Sequence, residues 1–250
     1  MKYKLLVVAA SSVLAWLSGP FFGSYVVQAQ EAQHSPKLVS LVANQTTTSY
    51  SPTGEVRDSF RSTIARRSDG SQVEIRHFQG PEGKPAENRL LLDVPGLKRI
   101  SVSGPAESIT TYKMDQAAIA QKIAATVDPR CGLEEGAERI TVLGVEALHA
   151  YKTIGHQKRE IWRAPSLGCF ELKAIATQTL TDGREARTVV DTLSLEQREP
   201  DPAMFQVPAW PEMSPSEVYR SIQRRYPNIP APPASTDAPA DAAYRSRKQN

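Results

Sequence analysis

Two Asp-Gly pairs, Asp69-Gly70 and Asp182-Gly183, each sit between long stretches that alternate apolar and polar residues, and they constrain the chain more than any other feature. Asp-Gly supplies the positive φ angles that a tight hairpin turn demands. Pairing Ser68 with Ser71 across the first turn puts Phe60, Ile64, Val73 and Ile75 on one face and Arg61, Thr63, Arg67, Glu74 and Arg76 on the other. The same construction around the second pairs Thr181 with Arg184. It gathers Phe170, Leu172, Ala174, Ala176, Val189, Leu193 and Leu195 opposite a face of Glu171, Lys173, Thr177, Thr179, Thr188, Thr192 and Ser194. Two long hairpins with this in/out logic predict an antiparallel sheet covered on one side.

Shorter strand candidates continue the series. Leu90 to Val94, Lys98 to Val102 and Ser108 to Lys113 are separated by Pro95-Gly96 and Gly104-Pro105, and Arg139 to Leu143, Leu148 to Thr153 and Lys158 to Ala164 by turns at Gly144 and Gly155. With the hairpin strands this makes about ten, the spacing of an all-β sheet or barrel. Two helices interrupt it. Asp115 is a natural N-cap for residues 115–127, where Ile119, Ala120, Ile123, Ala124 and Val127 recur at helical spacing until Asp128-Pro129. Ser214-Pro215-Ser216-Glu217 is a capping box with Pro at the first helical position, opening a helix to about Tyr226. The expected fold is mainly β (β-rich α+β): a strongly curved antiparallel sheet or half-barrel with one or two packed helices.

The start of the chain reads as a secretory signal peptide over residues 1–29, with Lys2 and Lys4 before an apolar run from Leu5 to Leu17 and Val27-Gln28-Ala29 as the cleavage site. The apolar stretch falls short of the roughly 20 residues a spanning helix needs, so the exported protein is not expected to span a membrane. Residues 30–54 read as a lead-in, 55–213 as the curved β domain with the inserted helix 115–127, 214–226 as a C-terminal helix, and 227–250 as a disordered Pro/Ala-rich tail. Without the two signal-peptide lysines the formal charge falls from +3 to +1, which argues against a nucleic-acid partner. Both cysteines, Cys131 and Cys169, lie in the exported part, and a disulfide is expected there. By restricting the unfolded chain, such a bridge would contribute roughly 4 kcal/mol.

No G-x-S-x-G, H-E-x-x-H, P-loop or G-x-G-x-x-G occurs, so no catalytic residue is assigned and the chain reads as non-enzymatic, with no cofactor. His149, His156, Glu146 and Glu160 are the nearest thing to a metal set. A hairpin turned at Gly155-His156 places His149 opposite Trp162 and leaves His156 at the tip, so the imidazoles do not converge and no metal is assigned. Arg61, Arg67 and Arg76, interleaved with Glu74, read as a solvated face.

The run from Glu160 to Cys169, with its W-x-A-P-x-L-G core, and Arg198 to Pro208, with E-P-D-P-x-x-F-x-V-P, resemble exported proteins of unknown function from acidobacteria and related soil bacteria, as does Arg66-Arg67-Ser68-Asp69-Gly70-Ser71. Those motifs mark architecture. Trp162 and Phe205 are expected to seal one end of the sheet, and Pro200, Pro202 and Pro208 to stop further strand pairing. That group is similar, more distantly, to periplasmic lipoprotein and lipid carriers of the LolA and LprG type, whose curved sheet wraps an apolar cavity closed by helices. No ligand-contacting residue of those carriers matches a position here. The resemblance implies a periplasmic or secreted protein that binds a lipid, another apolar ligand or an acylated protein. The cavity would be lined by Phe60, Ile64, Ile75, Phe170, Leu172, Leu193 and Leu195. The alternatives are an envelope scaffold with a solid core that engages another envelope protein, and an unrecognised hydrolase.

Overall fold

The computed structural model describes residues 38–80, 83–134, 136–154, 157–180 and 182–226; the signal peptide and the Pro/Ala-rich tail read from the sequence lie outside them. The strands are β1 (Leu41–Tyr50), β2 (Val56–Arg66), β3 (Gln72–Gln79), β4 (Pro85–Asp93), β5 (Lys98–Ser103), β6 (Ser108–Lys113), β7 (Glu138–Val142), β8 (Val145–Ile154), β9 (Gln157–Ala164), β10 (Phe170–Thr179) and β11 (Glu185–Glu196). Helix α1 (Gln116–Val127) separates β6 from β7, and α2 (Pro215–Arg225) follows the last strand. All eleven strands form one antiparallel sheet in the order β6-β5-β4-β3-β2-β1-β11-β10-β9-β8-β7. The chain thus starts at the centre, meanders out to one edge, crosses through α1 to the other edge and meanders back until β11 pairs with β1. The outer strands β6 and β7 do not pair, so the sheet stays open.

β1 lies within the segment read as a lead-in. Its sequence, Leu-Val-Ala-Asn-Gln-Thr-Thr-Thr-Ser-Tyr, carries strand preference in β-branched threonines rather than in apolar alternation, so hydrophobic periodicity passes over it.

Both Asp-Gly hairpins form, one residue out of the expected register. Arg67 N–H donates to Ser71 O at 2.8 Å and Gly70 N–H to Arg67 O at 3.0 Å, a three-residue loop with Gly70 at φ +90°. In the second, Leu180 N–H donates to Arg184 O at 2.8 Å and Gly183, at φ +81°, to Leu180 O. A three-residue loop uses its glycine as a left-handed bulge rather than as the centre of a two-residue turn. The slip re-sorts the faces: Ile64 pairs with Glu74, Ala65 with Val73 and Thr63 with Ile75, while Ala174 pairs with Val190 and Ile175 with Val189. Phe60 and Ile64 therefore share one face with Glu74 and Arg76, and Val73 and Ile75 point the other way.

Both faces can carry apolar residues because both are covered, which corrects the expectation of a one-sided sheet. On one face Val42, Ala65, Val73, Leu91 and Ile100 stand in direct register across five strands, and Met204, Phe205, Val207 and Trp210 from the segment after β11 pack over their cluster. That segment then clips the β6 edge. Ile109 N–H donates to Pro211 O, Met213 N–H returns to Ile109 O, and the Thr110 hydroxyl donates to Met213 O. Helix α2 starts with the expected capping box at Ser214 and Glu217 and ends with Arg225 on Glu107 at 3.0 Å. The opposite face holds α1, capped by the Asp115 carboxylate as expected.

That face is concave. Leu92 on β4 and Lys152 on β8 line a single cavity, although their strands are seven positions apart in the sheet, about 34 Å if it were flat. Bulges between β1 and β11 at Asn44/Gln45 and between β9 and β10 at Glu171/Lys173 supply local bending. Trp162 is buried in the cluster around Leu41 and Leu172, and Phe205 packs on the other cluster, so the two aromatics serve different parts of the interior.

Leu172 is fully buried, whereas Leu193, the residue skipped in the β1–β11 bulge, is 54% exposed. Leu172→Ala should therefore destabilise the protein by about 2–5 kcal/mol and Leu193→Ala by no more than about 0.5 kcal/mol in urea unfolding.

Candidate functional site

The cavity under α1 has a volume of about 640 Å3 and draws its walls from β1 to β4, from β8 to β10 and from the helix. Its apolar wall comes from Leu38, Ile64, Leu92, Val94, Ile119, Ile123 and Phe170. The β2–β3 turn is pressed against this wall: a Cβ on Gly70 would stand 3.2 Å from Leu38 Cδ1 and 3.8 Å from Ile123 Cγ1.

Several inward positions of the central strands are polar, interleaved with apolar Leu41, Ala43 and Ile64. Gln45, Ser62, Arg66 and Thr192 are all buried, and register places Ser62 and Thr192 beside Gln45. The Gln45 amide donates to Glu171 O at 2.9 Å and to Thr192 Oγ1 at 3.1 Å. Arg66, the last residue of β2, is 6% exposed and faces no carboxylate among the described residues. It donates Nε to Val39 O and Nη1 to Gly168 O, both at 3.0 Å, and Nη2 to Leu167 O. Burial pushes its pKa down to about 10, which leaves it a cation at neutral pH.

The W-x-A-P-x-L-G residues now have physical roles. Pro165 opens a 3-10 turn at Pro165–Leu167, Leu167 is fully buried, and Gly168 takes φ +59° where a Cβ would stand 2.8 Å from both Arg66 Nη2 and Thr126 Cγ2 of α1. Next to it, Cys169 forms the expected disulfide with Cys131, Cα to Cα 5.1 Å, tying the loop after α1 to the start of β10. Asp128 shapes that loop by accepting from Arg130 N–H at 3.0 Å and Gly132 N–H at 2.7 Å, and those backbone donors hold its carboxyl below the usual aspartate value. Arg163 donates to Cys131 O at 2.9 Å, and Glu171 lies 3.1 Å from Arg159 and 3.5 Å from Arg163.

Of the residues expected to line a cavity, Ile64 and Phe170 do so together. Phe60 borders a separate hollow of about 510 Å3 with Phe78, Asn88 and Arg76, whose guanidinium lies 5.5 Å from the Phe60 ring centre. Ile75 belongs to the core on the other face, Leu172 to the cluster with Trp162, and Leu195 packs at the margin of that cluster, while Leu193 is exposed. Arg66, Gln45 and Arg163 were not assigned from sequence. The signal available for Arg66 was its place next to the turn, at the start of Arg66-Arg67-Ser68-Asp69-Gly70-Ser71.

On the face of β8 and β9 turned away from Lys152 and Arg163, His149 stacks on Trp162 at 4.5 Å, as its expected position opposite that residue requires, and sits 2.9 Å from Glu160 and 3.6 Å from Glu138. Among the described residues no group of three or more His, Cys, Asp or Glu is placed to hold a metal ion. No described helix is long and apolar enough to cross a membrane.

No protein-family model matches the chain, and no curated protein matches it. Among solved structures it is similar to PNGF-II, at 13% identity over 74% of this chain with a TM-score of 0.44, and spans only about a third (33%) of that protein. It is also similar to the LolA superfamily protein NE2245 from Nitrosomonas europaea, at 11% identity over 68% of this chain and 90% of that one, TM-score 0.31. A putative outer membrane lipoprotein-sorting protein domain from Vibrio parahaemolyticus is similar at 10% identity over 67% and 89%, TM-score 0.30. Each of these likenesses is distant.

Arg66→Leu removes the donors of three carbonyls, each costing about 1–3 kcal/mol when left buried and unpaired. It should lower the urea midpoint by the equivalent of about 3 kcal/mol or more. Gly168→Ala should destabilise by a smaller amount while Arg66 is intact, and by less still in an Arg66→Leu background, because the guanidinium it would strike is gone.

Proposed function

We propose that the chain is a non-enzymatic binding protein of the periplasm or the extracellular space that holds an apolar or amphipathic ligand, such as a lipid or the acyl part of a lipoprotein, against the concave face of its sheet. The observation that carries this reading is the cavity of about 640 Å3 between that face and α1, a volume in the range of small-molecule sites. A sheet with a filled interior would have supported the scaffold reading instead. Of the residues proposed from sequence as ligand contacts, Ile64 and Phe170 are retained, joined by Leu92, Ile119 and Ile123. The Cys131–Cys169 bridge supports export, since such bonds persist in oxidising compartments. It also fastens the loop that follows the covering helix, while Met114 N–H, donating to Leu97 O at 2.7 Å, holds the chain just before the helix.

The neutral fluorophore N-phenyl-1-naphthylamine tests the reading. Titrated into the purified full chain, it should brighten and saturate at one site, and Ile123→Trp, which fills the cavity from the helix side, should weaken binding at least about tenfold while leaving the far-UV circular dichroism unchanged. Absence of any saturable signal from correctly folded protein would count against a binding function and in favour of the scaffold.

A further inference from the structure

The cavity is not electrically neutral. Among the described residues four cations line it, Arg66, Lys122, Lys152 and Arg163, against one carboxylate, Glu171. Glu171 is already shared between Arg159 and Arg163. Arg66, Lys122 and Lys152 have no carboxylate partner among the described residues, and the three differ in depth: Arg66 is buried at the base of the site, whereas the two lysines are exposed on α1 and β8. A guanidinium carries five N–H donors, and Arg66 directs only three at backbone carbonyls.

Burying a cation without a counter-ion opposes folding, and carbonyl dipoles offset only part of that cost. An occupant that merely filled space would leave the excess positive charge unanswered. One that brought a negative group would answer it, because attraction between opposite charges strengthens where apolar walls exclude water. The apolar wall of Ile64, Ile119 and Phe170 beside these cations fits a ligand that is greasy along one part and acidic at one end.

We propose that the cavity selects amphiphiles with an anionic head group, a carboxylate or a phosphate monoester, held by Arg66, Lys122 and Lys152, over neutral amphiphiles of the same chain length. This rests on the binding function proposed above and names the ligand class. Among the described lining residues the one carboxylate is Glu171, and its engagement with two arginines blunts its repulsion of an acid.

The test compares three probes on the full chain by isothermal titration below their micelle thresholds: dodecanoate, monododecyl phosphate and the neutral 1-monododecanoylglycerol. At least one acid should bind about tenfold or more tightly than the neutral probe, and whichever acid shows the preference identifies the head group. Raising the salt from 20 mM to 500 mM should shrink the preference. In Lys122→Ala/Lys152→Ala, chosen because the exposed lysines can be removed without unfolding the chain, the ratio of acid to neutral affinity should fall several-fold toward one. Equal affinity of all three probes for the unaltered protein would overturn this inference and leave the binding function standing. Binding of none of them, together with a silent naphthylamine titration, would overturn both.

Discussion

Two adjacent arginines at the end of β2 hold the molecule together from opposite sides of the sheet. Arg66 turns inward and gathers Val39 O, Leu167 O and Gly168 O, so that the approach to β1 and the turn between β9 and β10 are fixed to the same side chain. Arg67 turns outward, 3.9 Å from Glu199 and with its guanidinium 5.0 Å from the ring centre of Phe205. Glu199 also accepts from Ser68 N–H with both oxygens, at 3.3 and 3.4 Å. The three sequence motifs are therefore parts of one joint: the hairpin turn at residues 66–71 is the pin, and W-x-A-P-x-L-G and E-P-D-P-x-x-F-x-V-P are the pieces it fastens. Among these contacts the inward ones matter more, since the outward ion pair is solvent-exposed and screened.

The joint also explains why the sheet can curl. A wide antiparallel sheet twists but has no intrinsic reason to wrap around a hollow. Here the Arg66 bonds bring the turn after β9 onto the inner face of β2, and the disulfide next to that turn brings the loop after α1 to the same place. With the middle of the sheet tied across itself and the chain held on both sides of the helix, a space remains that the side chains do not fill. On the outer face Met204, Phe205, Val207 and Trp210 pack over the apolar row and leave a smaller hollow of about 330 Å3 beside Val102, Val207 and Trp210.

Legibility in the sequence followed the range of the interactions. Elements decided locally were readable: α1 and α2 with their caps, both Asp-Gly hairpins, and the strand series from Leu90 onward. The disulfide was readable because a chain read as exported, with two cysteines, leaves few options. The faces of the hairpins were not, since a two-residue and a three-residue loop share the Asp-Gly signature yet differ by one register step, and that step exchanges inside for outside. β1 was missed because its pairing on both sides, with β2 and β11, supplies what its threonine-rich sequence does not advertise. The cavity was legible only in part. Ile64 and Phe170 stood out as apolar, whereas Arg66, Gln45 and Arg163 acquire their positions from tertiary folding and look like ordinary surface residues in one dimension.

Those polar residues separate a binding cavity from a poorly filled core. A core selected for stability alone would place leucine or valine at the inward positions of the central strands, as the outer row does with Val42, Ala65, Val73, Leu91 and Ile100. Four of the inward positions instead hold Gln45, Ser62, Arg66 and Thr192, interleaved with the apolar Leu41, Ala43 and Ile64. Gln45 and Thr192 satisfy one another, which makes them tolerable in a folded interior but gives them no advantage over an apolar pair. Sequences depart from the apolar-inside rule mainly where function requires it. Two of these residues, Gln45 and Arg66, border the cavity under α1, where cations outnumber carboxylates among the described lining residues. A stability argument accounts for Arg66 as a tie between segments; it does not account for Lys122 and Lys152, which bind no described carboxylate and yet border the same space.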